Sequence, residues 1–318
     1  MKDVAKACGV SVSTVSRAFD ESSRISQPVR QKILSRAAEL GYTPNLLARS
    51  LKSNRSMTIA LIIPSIENRF YIDVLQHLEL VLHQYGYRLL VTFVHEGVTT
   101  ERECLEMAAS AQVDGIIVLP QDSTNKQYLN SLAEQMRVIQ LFNAPYSHMD
   151  SVIMDDEKGA EIGTNYLLQH GHRRILYVGG EDRIAGFWRA IDNAGIPHSE
   201  VMTLTGPVSV DLICDAIKTF HPTAIFSIAS TSETAWSAIQ KLNLSIPKDI
   251  SLIAYDDTRW VGLAGLTAIA HDLKDISTAT VSQLVHRLTN NDNQPVKHLV
   301  LDPFLIDRNS VRSLTTDL

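Results

Sequence analysis

The sequence has few cysteines and no long hydrophobic run. Its three cysteines, Cys8, Cys104 and Cys214, are scattered and odd in number. This pattern argues against a disulfide framework or a zinc knuckle and favours reduced thiols in a cytosol. No apolar run approaches the roughly 18 residues that a membrane-spanning helix needs, and no signal peptide is visible. We therefore predict a cytoplasmic protein without a membrane partner.

Motifs of the common enzyme classes are also missing. The 318 residues contain no Gly-x-Gly-x-x-Gly after a strand, no phosphate-binding P-loop and no Gly-x-Ser-x-Gly nucleophile turn. The eleven histidines show no metal-binding spacing such as His-Glu-x-x-His. These absences predict a protein that is not an enzyme, with no catalytic residue, no metal site and no cofactor.

The first residues have the pattern of two short helices joined by a tight turn. Residues 2–8 and 12–19 have helical composition, and small or apolar residues recur on one side of each. Gly9 can adopt the positive φ that the turn needs, and Ser11 can cap the second helix. The outer face of the second helix then carries short side chains and one arginine, which suits a major groove: Val12, Ser13, Ser16 and Arg17.

The charge of this segment is opposite to that of the whole chain. Residues 1–55 contain ten basic and four acidic residues, a net charge of +6, whereas the whole chain carries −6. A basic head on an acidic body is typical of a domain that binds phosphates. The alternative, a three-helix module that binds no nucleic acid, does not explain this difference in charge.

Two motifs in this region resemble the headpiece of the lactose/galactose repressor (LacI/GalR) family. They are V-S-x-x-T-V-S-R, ending at Arg17, and L-G-Y-x-P-N-x-x-A-R-S-L, ending at Leu51. The resemblance implies a helix-turn-helix DNA-binding headpiece at 1–57, with a hinge helix at about 45–52 that pairs with a second copy over the minor groove. Leu51 would then wedge between base pairs, although a flexible tether is the alternative. The candidate DNA-binding residues are Val12, Ser13, Thr14, Ser16, Arg17, Asn45, Ala48, Arg49, Leu51 and Lys52.

From Thr58 onward, buried strands alternate with amphipathic helices. Ile59–Pro64 has the composition of a buried strand. The next segment is predicted to be a helix, because apolar residues recur in it at helical spacing: Ile72, Leu75, Leu78 and Leu82. The alternation restarts near Gly159, which predicts two doubly wound lobes, each a parallel sheet covered on both faces.

This second region resembles the periplasmic-binding-protein-like (type I) core of the same family. Segments that carry the resemblance include 113–117, 171–175, 222–224, 246–253 and 255–257. The resemblance implies an effector-binding and dimerisation core at 58–318, with three crossovers near Asp155, His271 and Asp302. Lobe 1 would comprise about 58–155 and 272–302, and lobe 2 about 156–271 and 303–318.

Candidate effector-binding residues lie where strands end, because ligands of open α/β sheets bind beyond the carboxyl ends of the strands. The resemblance assigns Arg183 as the arginine that grips the effector and places Phe70 and Tyr71 against the ligand. Asp155 and Asp256 are candidates that could instead cap helices or join ion pairs between the lobes, and His271 could be a structural histidine at the hinge. The candidate set is Phe70, Tyr71, Asn143, Asp155, Arg183, Asp256 and His271.

Two departures from the family pattern affect the expected pocket. The family usually has an Asn-Asp pair after the strand at 224–227, where this chain continues Ile228-Ala229-Ser230-Thr231-Ser232. The segment between Gly180 and Arg183 is also shorter than usual, and Val208 stands near a position where some members have an aromatic residue. Together these changes predict a pocket wall that is more apolar and less typical of sugar binding.

Together these features predict a sequence-specific DNA-binding regulator, a repressor that binds a pseudo-palindromic operator in double-stranded DNA as a homodimer. A small-molecule effector, a sugar or sugar derivative, would bind the cleft between the lobes and shift the balance between two states. Two alternatives stay open. One is a regulator with a degenerate pocket that answers to a protein partner, and the other is a solute-binding protein with the same core fold.

Overall fold

The computed structural model separates the chain into two compact units, residues 1–57 and 58–318. The structure describes residues 1–19, 23–42, 55–66, 68–95, 98–121, 125–181, 183–290 and 294–314. The predicted hinge helix at 45–52 lies outside the described residues, and so do its candidate DNA contacts Asn45, Ala48, Arg49, Leu51 and Lys52.

The first unit consists of helices α1 (Lys2–Cys8), α2 (Val12–Ala18) and α3 (Gln27–Glu39). Gly9 ends α1 in the left-handed conformation with φ of 67°, and the Ser11 hydroxyl caps α2 by accepting from the Thr14 N–H at 3.1 Å, as the sequence predicts. Small and apolar side chains from the three helices form one core: Val4, Ala5, Cys8, Val15, Ala18, Ile33 and Ala37. Phe19 packs at its edge, 5.8 Å from the ring of Tyr42.

The first sheet of the second unit has the strand order β11-β5-β4-β3-β1-β2, and every neighbouring pair is parallel. Its strands are β1 (Thr58–Ile63), β2 (Arg88–Phe93), β3 (Gly115–Val118), β4 (Arg137–Phe142), β5 (Asp150–Met154) and β11 (His298–Leu301). The connecting helices are α4 (Arg69–Gln84), α5 (Glu101–Ser110), α6 (Lys126–Gln135) and α12 (Leu273–Asn290). Strands β1 and β3 are almost wholly buried because helices cover both faces of the sheet.

The second sheet has the order β12-β10-β9-β8-β6-β7. Its strands are β6 (Ile175–Gly179), β7 (Val201–Thr205), β8 (Ala224–Ser227), β9 (Ser251–Tyr255), β10 (Thr267–Ala270) and β12 (Phe304–Ile306). Its helices are α7 (Asp156–Gln169), α8 (Ile184–Asn193), α9 (Val210–Phe220), α10 (Ala229–Lys241) and α11 (Arg259–Leu263), and a single 3₁₀ turn spans His198–Glu200. These two sheets with their helices confirm the predicted fold class.

The chain passes between the two sheets three times. It leaves β5 at Asp155 to begin α7, returns after β10 through His271 and Asp272 into α12, and crosses again between β11 and β12. The first and third crossovers lie next to one another, because Asp155 N–H donates to the Leu301 carbonyl at 3.0 Å and Lys158 pairs with Asp302 at 2.7 Å.

Two details differ from the sequence prediction. Ile72 does not belong to the buried stripe of α4, since its side chain is 44% exposed, while Val74, Leu78 and Val81 are buried. Strand β12 pairs antiparallel with β10, so the second sheet is not purely parallel.

Candidate nucleic-acid interface and effector cleft

Helix α2 presents a polar, solvent-exposed face. Val12 is 42% exposed, Ser13 and Arg17 are exposed, and Thr14 and Ser16 are half-buried. Ser11 Oγ lies 2.7 Å from Ser13 Oγ and 2.8 Å from Thr14 Oγ1. The hydroxyls at the start of α2 thus form one hydrogen-bonded cluster, and Arg17 is the only charged side chain among the predicted contacts of this helix.

The first lobe contributes an aromatic wall at the carboxyl ends of β1 and β4. Phe70 is buried in the first turn of α4, with its ring 5.9 Å from Tyr71 and 5.2 Å from Phe142. The backbone of Phe142 is left-handed, with φ of 65°, a strained conformation for an aromatic residue that is typical of functional sites. Asn143 follows and donates to the Pro120 carbonyl at 3.3 Å. The structure therefore brings Phe70, Tyr71 and Asn143 to one edge of the sheet.

The second lobe holds Arg183 between a carboxylate and an aromatic ring. Arg183 Nε lies 3.2 Å from Asp156 Oδ1, and its guanidinium carbon lies 4.5 Å above the Tyr255 ring. The Tyr255 hydroxyl donates to the same Asp156 oxygen at 2.9 Å. Burial raises the pKa of Tyr255, and Asp156 adds to the effect, so the hydroxyl stays a proton donor.

Asp156 and Tyr255 contact Arg183, and the sequence analysis did not identify either as a candidate site residue. Their only sequence signals are the carboxylate pair Asp155-Asp156 and the position of Tyr255 at a strand end. A side chain at Gly159 would also collide with this arrangement, because a Cβ there would lie 2.2 Å from the Tyr255 hydroxyl. The glycine thus makes room for the tyrosine that supports Arg183.

Asp256 and His271 lie beside this cluster. Asp256 is buried with a left-handed φ of 72°, and its Oδ1 is 4.0 Å from His271 Nε2. The His271 ring lies 5.7 Å from the Tyr255 ring. Burial lowers the pKa of His271 to about 3, with a contribution from Arg183. The imidazole is therefore neutral, and its contact with Asp256 is not an ion pair.

Asp155 caps α7, the alternative role that the sequence allowed. Its Oδ1 accepts from the Lys158 N–H at 2.9 Å, which satisfies an N–H at the helix start. This bond occupies one carboxylate oxygen of Asp155 at the first crossover.

At the position where the family usually has an Asn-Asp pair, this chain has hydroxyl side chains that form hydrogen bonds within the protein. Thr231 Oγ1 donates to the Val178 carbonyl at 2.8 Å, and Ser232 Oγ lies 3.0 Å from Ser227 Oγ. Ile228 packs directly on Gly179, where a Cβ would lie 2.2 Å from the isoleucine Cδ1. These contacts use the hydroxyls of Thr231 and Ser232 within the fold.

Two buried histidines should make stability depend on pH. Burial lowers the pKa of His172 to about 4 and that of His271 to about 3, so between pH 6.5 and these values the unfolded chain binds more protons. Stability is then complete above about pH 6.5 and falls on acidification, by about 2 kcal/mol per histidine between pH 7 and 5. Urea unfolding at both pH values tests this prediction. His271→Leu should reduce the loss of stability on acidification by the contribution of one histidine. An unchanged loss would show that His271 does not contribute to it.

Within the described ranges, no helix combines the length and apolarity needed to cross a membrane. The same residues hold no group of three or more His, Cys, Asp or Glu side chains that could bind a metal ion. All three cysteines are buried and unpaired.

Comparisons with known proteins match both units. Residues 1–45 match the family described as bacterial regulatory proteins, lacI family, and residues 164–311 match a periplasmic binding protein-like domain. The HTH-type transcriptional regulator DegA of Bacillus subtilis is 30% identical over 99% of this chain and 98% of its own length. The HTH-type transcriptional repressor PurR of Vibrio parahaemolyticus is 28% identical, over 99% of both chains.

A solved structure has the same fold along nearly the whole chain. It is the Lac repressor dimer bound to operator and the anti-inducer ONPF, which matches with a TM-score of 0.83 at 23% identity, over 98% of each chain.

Proposed function

Because the chain belongs to the LacI family of bacterial regulatory proteins, we propose that it is a transcriptional repressor that binds a pseudo-palindromic operator as a homodimer. Relatives of 28% and 30% identity are transcriptional regulators, which confirms the prediction that the chain is not an enzyme. A small-molecule effector, a sugar or sugar derivative, binds between the lobes of the core and changes the affinity for DNA. Operator binding places the protein in the cytoplasm with the chromosome.

The proposal that the protein binds DNA rests mainly on the exposed face of α2 in a basic headpiece. The side chains of Ser13 and Ser16 are short, so the helix backbone can enter a major groove, and Arg17 is long enough to reach a base edge. One headpiece of this size reads only a half-site, so a two-fold dimer reads the complete operator. Leu51 then serves as the minor-groove wedge that the family resemblance implies.

Replacing Arg17 with alanine should relax the sequence preference at one position of each half-site. A bidentate contact to a base discriminates by about 1–3 kcal/mol, so specific binding should fall by roughly tenfold to a hundredfold and non-specific binding much less. A binding-site selection experiment on both proteins measures the preference. Arg36→Ala is the matched control, because Arg36 is exposed on α3 and pairs with Glu39. An unchanged preference would remove Arg17 from base recognition.

Replacing Arg183 with alanine should abolish the effector response and leave operator binding intact. The guanidinium is the strongest hydrogen-bond donor in the second-lobe cluster, and its loss should weaken a hydroxylated or acidic ligand by roughly a hundredfold. A thermal-shift screen of sugars, sugar acids, sugar phosphates and nucleosides provides the ligand, and operator titration provides the response. Arg189→Ala on the same helix, where Arg189 is exposed and pairs with Glu157 and Glu161, should respond normally. A normal response from the Arg183 variant would mean that the pocket lies elsewhere.

A second candidate function is control by a protein partner. The absence of the Asn-Asp pair, and the use of Thr231 and Ser232 in hydrogen bonds within the fold, favour it. A screen without any small-molecule hit, together with intact operator binding, would select this function. The basic headpiece favours a DNA-binding regulator, whether a small molecule or a protein partner controls it, over a solute-binding protein.

A further inference from the structure

Two buried glutamines of the first lobe differ in how their side-chain amides are satisfied. Gln140 uses both ends of its amide, since Nε2 donates to the Tyr146 carbonyl at 2.7 Å and Oε1 accepts from the Tyr146 N–H at 3.0 Å. Gln283 on α12 is 9% exposed, and its Nε2 donates to the Lys297 carbonyl at 2.9 Å. Its Oε1 is buried but has no hydrogen-bond partner among the residues that the structure describes. Buried polar atoms normally have partners, so this oxygen calls for an explanation such as a ligand.

Gln283 lines a cavity of about 520 Å³ between the second half of α12 and the segment that leads into β11. Apolar side chains form part of its wall: Ala279, Val296 and Leu299. His286 and Lys297 belong to the exposed part of the lining. A volume in this range is typical of sites for small organic molecules.

The cavity lies at the opposite end of the first sheet from the candidate effector residues. Lys297 directly precedes β11, whereas Phe70 follows β1 and Asn143 follows β4. Because all neighbouring strands of this sheet are parallel, their amino ends share one edge and their carboxyl ends share the other. A ligand in this cavity is therefore outside the proposed effector cleft.

The charge of the lining favours an anion at the exposed side. Arg287 is already matched, because two of its nitrogens contact the Asp150 carboxylate at 2.8 Å. Among the described residues that line the cavity none is acidic, while Lys297 adds an exposed ammonium group. An anionic group at the mouth of the cavity is attracted to this ammonium.

We propose that this cavity binds a small organic acid whose far end carries an N–H or O–H group. The donor end enters the cavity and donates to Gln283 Oε1, and the body of the ligand packs on the apolar wall. The carboxylate stays at the mouth and pairs with Lys297. Both ends contribute to affinity, so a molecule that has only one of the two groups binds more weakly. This second ligand site does not depend on the proposed function.

Calorimetry of the full-length protein tests the site with two acids that carry a donor at the far end, para-aminobenzoate and para-hydroxyphenylacetate. At least para-aminobenzoate should bind. Two analogues that each lack one group should bind it about tenfold more weakly: benzoate, which lacks the amine, and para-aminobenzamide, which lacks the charge. No binding of either acid, or an affinity that does not depend on both groups, would overturn the proposal.

Variants of the lining locate the bound acid. Ala279→Phe fills the cavity with a ring and should abolish binding. Gln283→Met should weaken para-aminobenzoate about tenfold and leave benzoate unchanged, whereas Lys297→Met should weaken para-aminobenzoate by a similar factor and leave para-aminobenzamide unchanged. Lys274→Met is the matched control, because Lys274 is an exposed lysine of α12 outside the cavity. Unchanged affinity in Gln283→Met would remove Gln283 from recognition and overturn the proposal.

Arg183→Ala separates this site from the proposed effector cleft. This variant should bind para-aminobenzoate as the unmodified protein does. Loss of binding in Arg183→Ala, together with normal binding in Ala279→Phe, would place the acid in the cleft and overturn the second site. Operator titration of the same samples tests the proposed function, and failure to bind any operator would leave the binding of the acid to be judged by the variants alone.

A stability measurement tests the unpartnered oxygen without a ligand. Gln140→Met loses the hydrogen bonds at both ends of its amide and should melt several degrees lower than the unmodified protein. Gln283→Met loses the bond to Lys297 but also removes an oxygen that has no partner within the described residues, so its melting temperature should fall less. An equal fall in both variants would show that the fold satisfies the whole Gln283 amide, which would contradict the proposal.

Discussion

Replacing Arg287 with alanine should lower the free energy of unfolding by about 3–5 kcal/mol, because it leaves a buried carboxylate without its partner. Arg287 Nε and Nη2 each lie 2.8 Å from an oxygen of Asp150. The Lys297 N–H donates to the same carboxylate at 2.8 Å, and Arg287 also donates to the carbonyls of Gln294 and Pro295. One side chain thus joins α12, the start of β5 and the segment that leads into β11.

The pKa of Asp150 shows how these contacts balance. Burial favours the neutral carboxyl, but the hydrogen bonds from Arg287 and the Lys297 N–H outweigh it and hold the pKa of Asp150 below its ordinary value. The carboxylate therefore contributes stability at neutral pH, and this contribution is lost as the pH falls through the lowered pKa. In Arg287→Ala, burial acts without the hydrogen bonds from the guanidinium, so the pKa of Asp150 should rise.

Urea unfolding at pH 7 measures the effect, and two further variants serve as controls. Arg102→Ala removes an exposed pair, Arg102 with Glu106 at 2.9 Å, and should cost less than about 1 kcal/mol. Asp150→Asn in the Arg287→Ala background should recover part of the loss, because it removes the unpaired charge. A loss below about 1 kcal/mol in Arg287→Ala would mean that the pair does not hold these elements together.

Replacing Gly186 with alanine should lower the free energy of unfolding by about 3 kcal/mol or more. Helices α7 and α8 approach so closely that a Cβ at position 186 would lie 1.9 Å from the Glu157 carbonyl oxygen. The obstacle is backbone, so the strain is relieved only if the two helices move apart. In a helix, alanine is more favourable than glycine by about 1 kcal/mol. A loss of stability in Gly186→Ala would therefore come from the close contact between α7 and α8.

The same substitution should also disturb the proposed effector cleft. Arg183 is the N-cap of α8, and its partner Asp156 lies next to Glu157 at the start of α7. Separating the helices moves the guanidinium from the carboxylate, so Gly186→Ala should weaken an effector as well as the fold. Thermal unfolding and effector titration of the same sample measure both effects.

Gly262→Ala is the matched control for this prediction. Gly262 lies in α11, and the nearest atom to a Cβ there is Arg308 Nη2, at 3.8 Å. This variant should be as stable as the unmodified protein or slightly more stable. If both variants behaved alike, close packing of α7 on α8 would not be the reason that glycine occupies position 186.

The sequence alone predicted features that depend on neighbours within a few positions. The first two helices, the left-handed Gly9 and the Ser11 cap depend on residues three or four apart, and the structure has all of them. The order of strands and helices followed from local hydrophobic periods, and the two lobes followed from the restart of that alternation near Gly159. The basic headpiece followed from composition, which no folding can change.

Only the tertiary structure decided which residues meet. Ile72 fits the helical spacing of α4 but is exposed, because the rotation of a helix against its sheet is set by packing and not by its own pattern. Arg183 meets Asp156 and Tyr255 from positions 27 and 72 residues away, and His271 has no hydrogen-bond partner among the described residues. The sequence by itself determined the class of the protein and the types of its side chains. Contacts between distant residues form only when the sheets bring strand ends together, so the tertiary structure decided the chemistry of the cleft.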